Sequence, residues 1–311
     1  MSDLDAQGMN DGENGQAAYE EPDLTGYVPR KYKGEKKPFT SVLICFFVML
    51  AFLGIQFAVM LPIMMVKTIK IAKTVEKIDE SIYKTLLESI DKIGLTLIAT
   101  VVSMVVAVVW YRLAYCRGFG LKSLKKKCTE IFKVRTVGGI ILGGISAYYM
   151  CGLLIMLLEV AFPSLIEDYN ELMEASGFTE VDWIVIVLTV FMAPINEECI
   201  MRGIIFSNLK KNMAPKYAIV ISAILFGVFH MNIVQGLYAT AIGLLMAYYA
   251  YKYDSIIASM LLHAVFNGFN FFLLLFPEEI QTSTILSFVI PIVTAIAWYF
   301  VEGKNKIKDI N

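Results

Sequence analysis

Long apolar runs recur along the chain near residues 39–66, 93–111, 137–158, 183–196 continuing into 206, 217–232, 233–251, 255–276 and 285–300. Each approaches the ~20 residues, at about 1.5 Å rise, that carry a helix across a bilayer. Because hydrocarbon offers no hydrogen bonds, a spanning segment must satisfy its own backbone, and helices do so within a single segment. The pattern predicts an all-α polytopic membrane protein of about eight transmembrane helices. Composition agrees, since 57% of residues are hydrophobic and only 18% charged, outside the soluble globular range.

Charge then orients the spans. Basic clusters precede the first run (Arg30, Lys31, Lys33, Lys36, Lys37), follow the second (Arg117, Lys122, Lys125, Lys126, Lys127, Lys133, Arg135) and follow the fourth (Lys210, Lys211, Lys216). Lys252 follows the sixth, and Lys304, Lys306 and Lys308 the eighth. The loops after the third and seventh runs are acidic, with Glu167, Asp168, Glu171, Glu174, Glu180, Glu278 and Glu279. The positive-inside rule places both termini in the cytoplasm of a multi-pass cell-membrane protein. The segment 67–92 is mixed in charge and reads as an amphipathic helix.

The chain divides into a cytoplasmic tail over 1–38, whose first 23 residues hold seven acids and no base, a transmembrane domain over 39–302 and a short cytoplasmic tail over 303–311. The first tail has the composition of a disordered segment. The first apolar run is too long and too far from the start to be a cleaved signal, so it is expected to anchor. Cys45, Cys116, Cys128, Cys151 and Cys199 show no C-x-x-C spacing, and no structural disulfide is expected. Topology explains the basic segments, so nucleic acid is not an expected partner.

Against this apolar background a few polar groups stand out. The chain has two histidines, His230 and His263, both inside apolar runs, and a third run carries Asn196, Glu197, Glu198 and Arg202. Counted from Lys210, Lys216 and Lys252, Glu197, His230, His263 and Asn267 lie roughly 20, 21, 16 and 22 Å into the membrane. They form one layer, somewhat to the cytoplasmic side of the middle, and so are expected to be reached from the cytosol or the inner leaflet. Ionisable groups in hydrocarbon are costly and mark a functional site. Glu198 and Arg202 are four apart, the spacing of an intrahelical ion pair, and Glu197 then points about 100° away. His263, Asn267 and Asn270 form a polar stripe at i, i+4, i+7. Pro194 should kink its helix and free a carbonyl that needs another partner. Phe226 and Phe229 read as packing residues.

Glu197-Glu198-Cys-Ile-Met-Arg202, Phe226-Gly-Val-Phe-His230 and His263-Ala-Val-Phe-Asn267 match E-E-x-x-x-R, F-x-x-x-H and H-x-x-x-N. Together and in this order they resemble the CAAX protease and bacteriocin-processing (CPBP) family of intramembrane endopeptidases. The resemblance implies peptide-bond hydrolysis inside the membrane, with Glu197 and His230 activating water, His263 and Asn267 stabilising the oxyanion, and Glu198 and Arg202 in support. Its implied partner is a membrane-bound peptide or protein, lipidated in eukaryotic relatives. Amide hydrolysis needs a base, oxyanion donors and a partly dry cavity, and these side chains are suited to all three.

On cofactors two readings stand. His230, His263 and Glu197 could make a three-ligand zinc site with an open position, and the family is commonly labelled a metalloprotease. H-E-x-x-H is absent, however, and a glutamate-base mechanism needs no metal; the metal-free reading is preferred. Rival classes are a transporter or proton relay using the same cluster, a bis-histidine haem carrier, and an inactive immunity or scaffold protein. The topology makes a direct prediction. A cysteine introduced at Lys126 should resist an impermeant thiol reagent in intact cells, and strong labelling there would invert the orientation.

Overall fold

A computed structural model of the chain describes residues 37–73, 92–116, 128–176, 182–281 and 283–302; the tail 1–36, the segment 74–91 within the expected amphipathic helix, and the tail 303–311 lie outside them. Every regular element among the described residues is helical. The longer ones are, in order, α1 (Pro38–Ala72), α2 (Lys92–Tyr115), α3 (Val134–Ala161), the amphipathic α4 (Pro163–Ser176) and α5 (Trp183–Asn212). They continue with α6 (Pro215–Phe229), α7 (Ile233–Lys252), α8 (Ile256–Leu273) and α9 (Thr284–Glu302). All but α4 and α6 are long and apolar enough to cross a membrane.

The expected span 217–232 is therefore shorter in the structure. At 15 residues, α6 rises only about 22 Å, because the chain reverses at the depth of the polar layer. The N–H of His230 bonds to the Gly227 carbonyl and that of Met231 to the Val228 carbonyl. Met231 then adopts the left-handed region at φ 53, an uncommon conformation for a long side chain. Asn232 opens α7 by accepting a 3.0 Å hydrogen bond from the Gln235 N–H. The result is a helical hairpin with His230 at its tip. Its arms touch backbone to backbone, since a Cβ on Gly236 would sit 3.1 Å from the Gly227 oxygen and one on Gly243 would sit 3.3 Å from the Ala223 Cα. Small residues at such crossings are what membrane helices use in place of a hydrophobic driving force.

α5 is one continuous span with two π-helical stretches, Val187–Met192 and Cys199–Phe206, on either side of the α-helical turn Ala193–Glu198. In a π stretch each N–H reaches back five residues, and the Ala193 N–H does so to the Leu188 carbonyl. Continuing that register, the Thr189 carbonyl would be served by residue 194, which is proline and has no N–H. The freed carbonyl predicted at Pro194 is thus Thr189, and its donor is Asn267 Nδ2 at 2.7 Å. Serines relieve the second stretch: Ser222 Oγ donates to the Met201 carbonyl at 3.4 Å and Ser207 Oγ to the Arg202 carbonyl at 3.2 Å. π segments recur at functional sites because they re-aim side chains.

On the face carrying the basic loops the bundle is solid. Ile200, Met201, Ile204, Ile205, Phe206 and Leu209 of α5 are buried. A polar clasp closes the same face, where buried Glu302, at the end of α9, accepts hydrogen bonds from Lys252 and from Tyr253 Oη, the latter at 2.5 Å. Removing one partner of such a buried pair strands the other charge. Glu302→Gln should lower the unfolding midpoint in detergent, with a loss approaching about 3–5 kcal/mol. Tyr253→Phe, which deletes one charge-assisted donor and leaves the ion pair in place, should cost less, about 1.5–3 kcal/mol. Equal midpoints for Glu302→Gln and wild type would show that the clasp holds nothing.

Candidate functional site

Glu198 is the most constrained group of the site. Its side chain is wholly buried, where an unpaired charge would cost many kcal/mol, and every contact it makes offsets that cost. Arg202 Nη1 donates to Oε1 at 2.8 Å, Ser259 Oγ donates to Oε2 at 2.6 Å, and His263 Nδ1 lies 3.1 Å from Oε1. Arg202, equally buried, donates from Nη2 to the Gly243 carbonyl at 2.9 Å and lies 4.6 Å from the centroid of the Phe226 ring. One intrahelical ion pair therefore ties α5 to α6, α7 and α8.

His263 sits between the two glutamates. A carboxylate can only accept, so the contact with Glu198 places a proton on Nδ1 and turns Nε2 toward Glu197, whose Oε2 is 3.9 Å away. That gap is too long for a hydrogen bond and short enough for Coulomb attraction. Glu197 points away from Arg202, as the 100° rotation per residue requires, and its buried Oε2 has no hydrogen-bond partner among the described residues. His230 is fixed by its own helix: Nδ1 lies 2.9 Å from the Phe226 carbonyl, which also only accepts, so the proton is on Nδ1 and the Nε2 lone pair is left available.

Glu197, His230, His263 and Asn267 all line one cavity of about 570 Å³. Glu198 and Arg202 are not among its lining residues and lie behind His263. Asn196 also reaches the wall, its Oδ1 accepting from Ser103 Oγ of α2 at 3.0 Å, and Asn270 accepts from Tyr148 Oη at 3.0 Å.

Two contributors were not expected from the sequence. Ser259 lies one turn before His263, so the stripe of His263, Asn267 and Asn270 extends backward by one more polar residue, and the period alone would have found it. Phe226 was read as packing, yet its ring meets both imidazoles edge to face, with centroids 4.9 Å from His230 and 5.8 Å from His263, while its carbonyl sets the His230 tautomer.

The expected route of access needs correction. The lining residues occupy the halves of their helices remote from the basic loops: Thr96 and Thr100 near the start of α2, Leu188 and Thr189 near the start of α5, Gln235 near the start of α7. Leu172, Met173 and Ser176 of α4 complete that end. The cavity thus extends from the polar layer toward the acidic-loop face, not the basic one. Depth along a helix locates a group; which way the space opens depends on where neighbouring helices part.

Zinc was the open cofactor question. Among the described residues no group of three His, Cys, Asp or Glu side chains is placed to hold a metal ion. His263 Nδ1 is engaged by Glu198, and its Nε2 and Glu197 Oε2 are 3.9 Å apart.

Residues 179–269 match the family model of Rce1-like, type II CAAX prenyl endopeptidases. The matched segment takes in all three motifs and the hairpin turn, and over it the chain is similar to the CAAX protease family that the motifs resemble. The coarse activity that this similarity supports is that of a membrane endopeptidase. Comparison with curated proteins found no match, and comparison with solved structures found none.

The packing around Glu198 predicts a graded response. Glu198→Gln and Arg202→Ala should sharply reduce folded yield, because each leaves a buried charge unpaired at about 3–5 kcal/mol. Ser259→Ala, which removes one charge-assisted donor, should cost about 1.5–3 kcal/mol and still give folded protein. Size-exclusion profiles and unfolding midpoints in detergent would check the order.

Proposed function

We propose that the chain hydrolyses a peptide bond of a membrane-bound peptide or protein, with Glu197 as general base. The observation that carries this reading is a carboxylate oxygen without a hydrogen-bond partner, buried beside a cavity that also receives two histidines and a side-chain amide. A carboxylate oxygen left without a hydrogen bond is poor for stability and suits a base that must accept a proton during reaction.

Water held between Glu197 and the Nε2 lone pair of His230 attacks the scissile carbonyl carbon. Glu197 takes one of its protons and delivers it to the departing amide nitrogen, so that the base of the first step is the acid of the second. His263, its Nδ1–H committed to Glu198, carries a second proton on Nε2 and keeps it, donating a hydrogen bond from it to the carbonyl oxygen as negative charge develops there. In that state two carboxylates, the guanidinium and the imidazolium balance. Asn267 spends one Nδ2 hydrogen on the Thr189 carbonyl and has a second for the oxyanion. Glu198 and Arg202 act through His263 by fixing its ring.

The closed basic face supports hydrolysis over a proton or solute path, since a path needs a route on both sides of the polar layer. We read the mechanism as metal-free, a reading tested by elemental analysis of active protein: zinc far below one per chain is expected, and stoichiometric zinc that tracks turnover would overturn it.

The main test is product mass spectrometry on membranes from cells expressing wild-type or variant protein. Glu197→Gln should lower product formation by at least ~10², the lower range for loss of a general base, with normal folded yield. Asn267→Ala should cost roughly 10²–10³, as for an oxyanion donor. Full activity in Glu197→Gln would refute the assignment of the base.

A further inference from the structure

We infer that the site is loaded from the extracytoplasmic side, beneath α4, and takes an extended segment of a polypeptide held at the outer half of the bilayer. This deepens the proteolytic reading and rests on it, but the observations behind it are separate. They are the direction of the cavity, the seal beneath it, the seat of α4 and the character of the walls.

The cavity ends at the polar layer on one side and at α4 on the other. Below the layer, a peptide coming from the basic-loop face would have to displace the Glu198–Arg202 pair, whose side chains are 0% exposed, and then Phe206 and Ile205, also 0% exposed. Breaking that pair costs more than a substrate segment of a few residues gains by entering. Above the layer no such barrier is built among the described residues. α4 rests over the opening on buried Ile166 and is tied at two points: Tyr169 Oη lies 3.3 Å from Tyr238 Oη of α7, and Lys92 Nζ of α2 donates to the Ala175 carbonyl at 2.6 Å. Leu172, Met173 and Ser176 face the cavity from this helix.

The walls fit an extended chain. Gln56, Thr96, Thr100, Gln235 and Asn270 offer uncharged donors and acceptors, which suit backbone amides, and the aromatic rings between them suit apolar side chains. A peptide backbone drawn out of its helix in lipid has unsatisfied amides, and a wall of side-chain amides and hydroxyls answers that need. The basic loops fix which face this is: they are cytoplasmic by the positive-inside rule, and the cavity lies at the other side.

Native cysteines make the test simple. Cys45, Cys116, Cys151 and Cys199 are buried, while Cys128 is half-buried on the basic-loop side. Ser176→Cys at the lip and Thr100→Cys in the wall add a thiol to the cavity without touching the proposed catalytic groups. With a small, charged, membrane-impermeant thiol reagent, both variants should label in intact cells and wild type should not. In inside-out vesicles the pattern should reverse, with Cys128 labelled and the cavity cysteines protected.

Cavity cysteines that label from the same side as Cys128, or from neither side, would overturn the inference. So would labelling of Cys128 in intact cells. The outcome does not depend on turnover, and Glu197→Gln should label identically. Failure of the labelling pattern with catalysis intact would reject the route alone, whereas correct labelling with Glu197→Gln fully active would reject the proteolytic assignment alone.

Discussion

The site depends on one buried carboxylate. Glu198 has no access to solvent, and a negative charge there persists only because a guanidinium, a hydroxyl and an imidazole all point at it. Those three donors come from α5 and α8, and Arg202 reaches on to a carbonyl of α7. Moving any of these helices would expose the charge to hydrocarbon, so the requirement to satisfy Glu198 fixes their positions. His263 is a member of that shell, and its ring orientation is a by-product of solving the burial problem. Its far nitrogen is thereby aimed at Glu197, the acid left without a hydrogen bond at Oε2. The two adjacent glutamates are chemically identical and are separated in role by the 100° that a helix turns per residue.

Backbone irregularity supplies the second constraint. The π register before Pro194 leaves the Thr189 carbonyl without an internal partner, and Asn267 fills it. A proline whose missing N–H would be a defect in lipid instead fixes the amide of a neighbouring helix, with one nitrogen hydrogen to spare. The turn at His230 works in a similar way. Ending α6 at mid-depth places an imidazole at the tip of a hairpin, with its tautomer set by the carbonyl one turn back.

Much of this was legible from the residues. The i, i+4 spacing of Glu198 and Arg202 and the stripe on α8 follow from helical period, and counting from the lysines placed four groups in one layer because helix rise is constant. Ser259 was within reach of the same counting. The role of Phe226 was not, since an apolar ring in an apolar run has no signature until its neighbours are known. The shortened α6 was hidden because hydropathy reports where a chain is apolar, not where it turns; Met231 at positive φ carries no glycine to announce it. The direction of the cavity is a property of how helices diverge and has no local sequence correlate, so depth alone suggested the wrong side.

Because the chain has two histidines, the hydrogen-bond geometry at the heart of the site is open to direct observation. Nitrogen NMR of protein labelled with 15N at the imidazoles, compared with His230→Gln and His263→Gln for assignment, reports the protonation of each ring nitrogen. His263 should show a proton on Nδ1 in a hydrogen bond to a carboxylate, and His230 a proton on Nδ1 with a bare Nε2. A bare Nδ1 on His263 would mean that Glu198 does not hold the ring, and the link from buried ion pair to the proposed catalytic geometry would be broken.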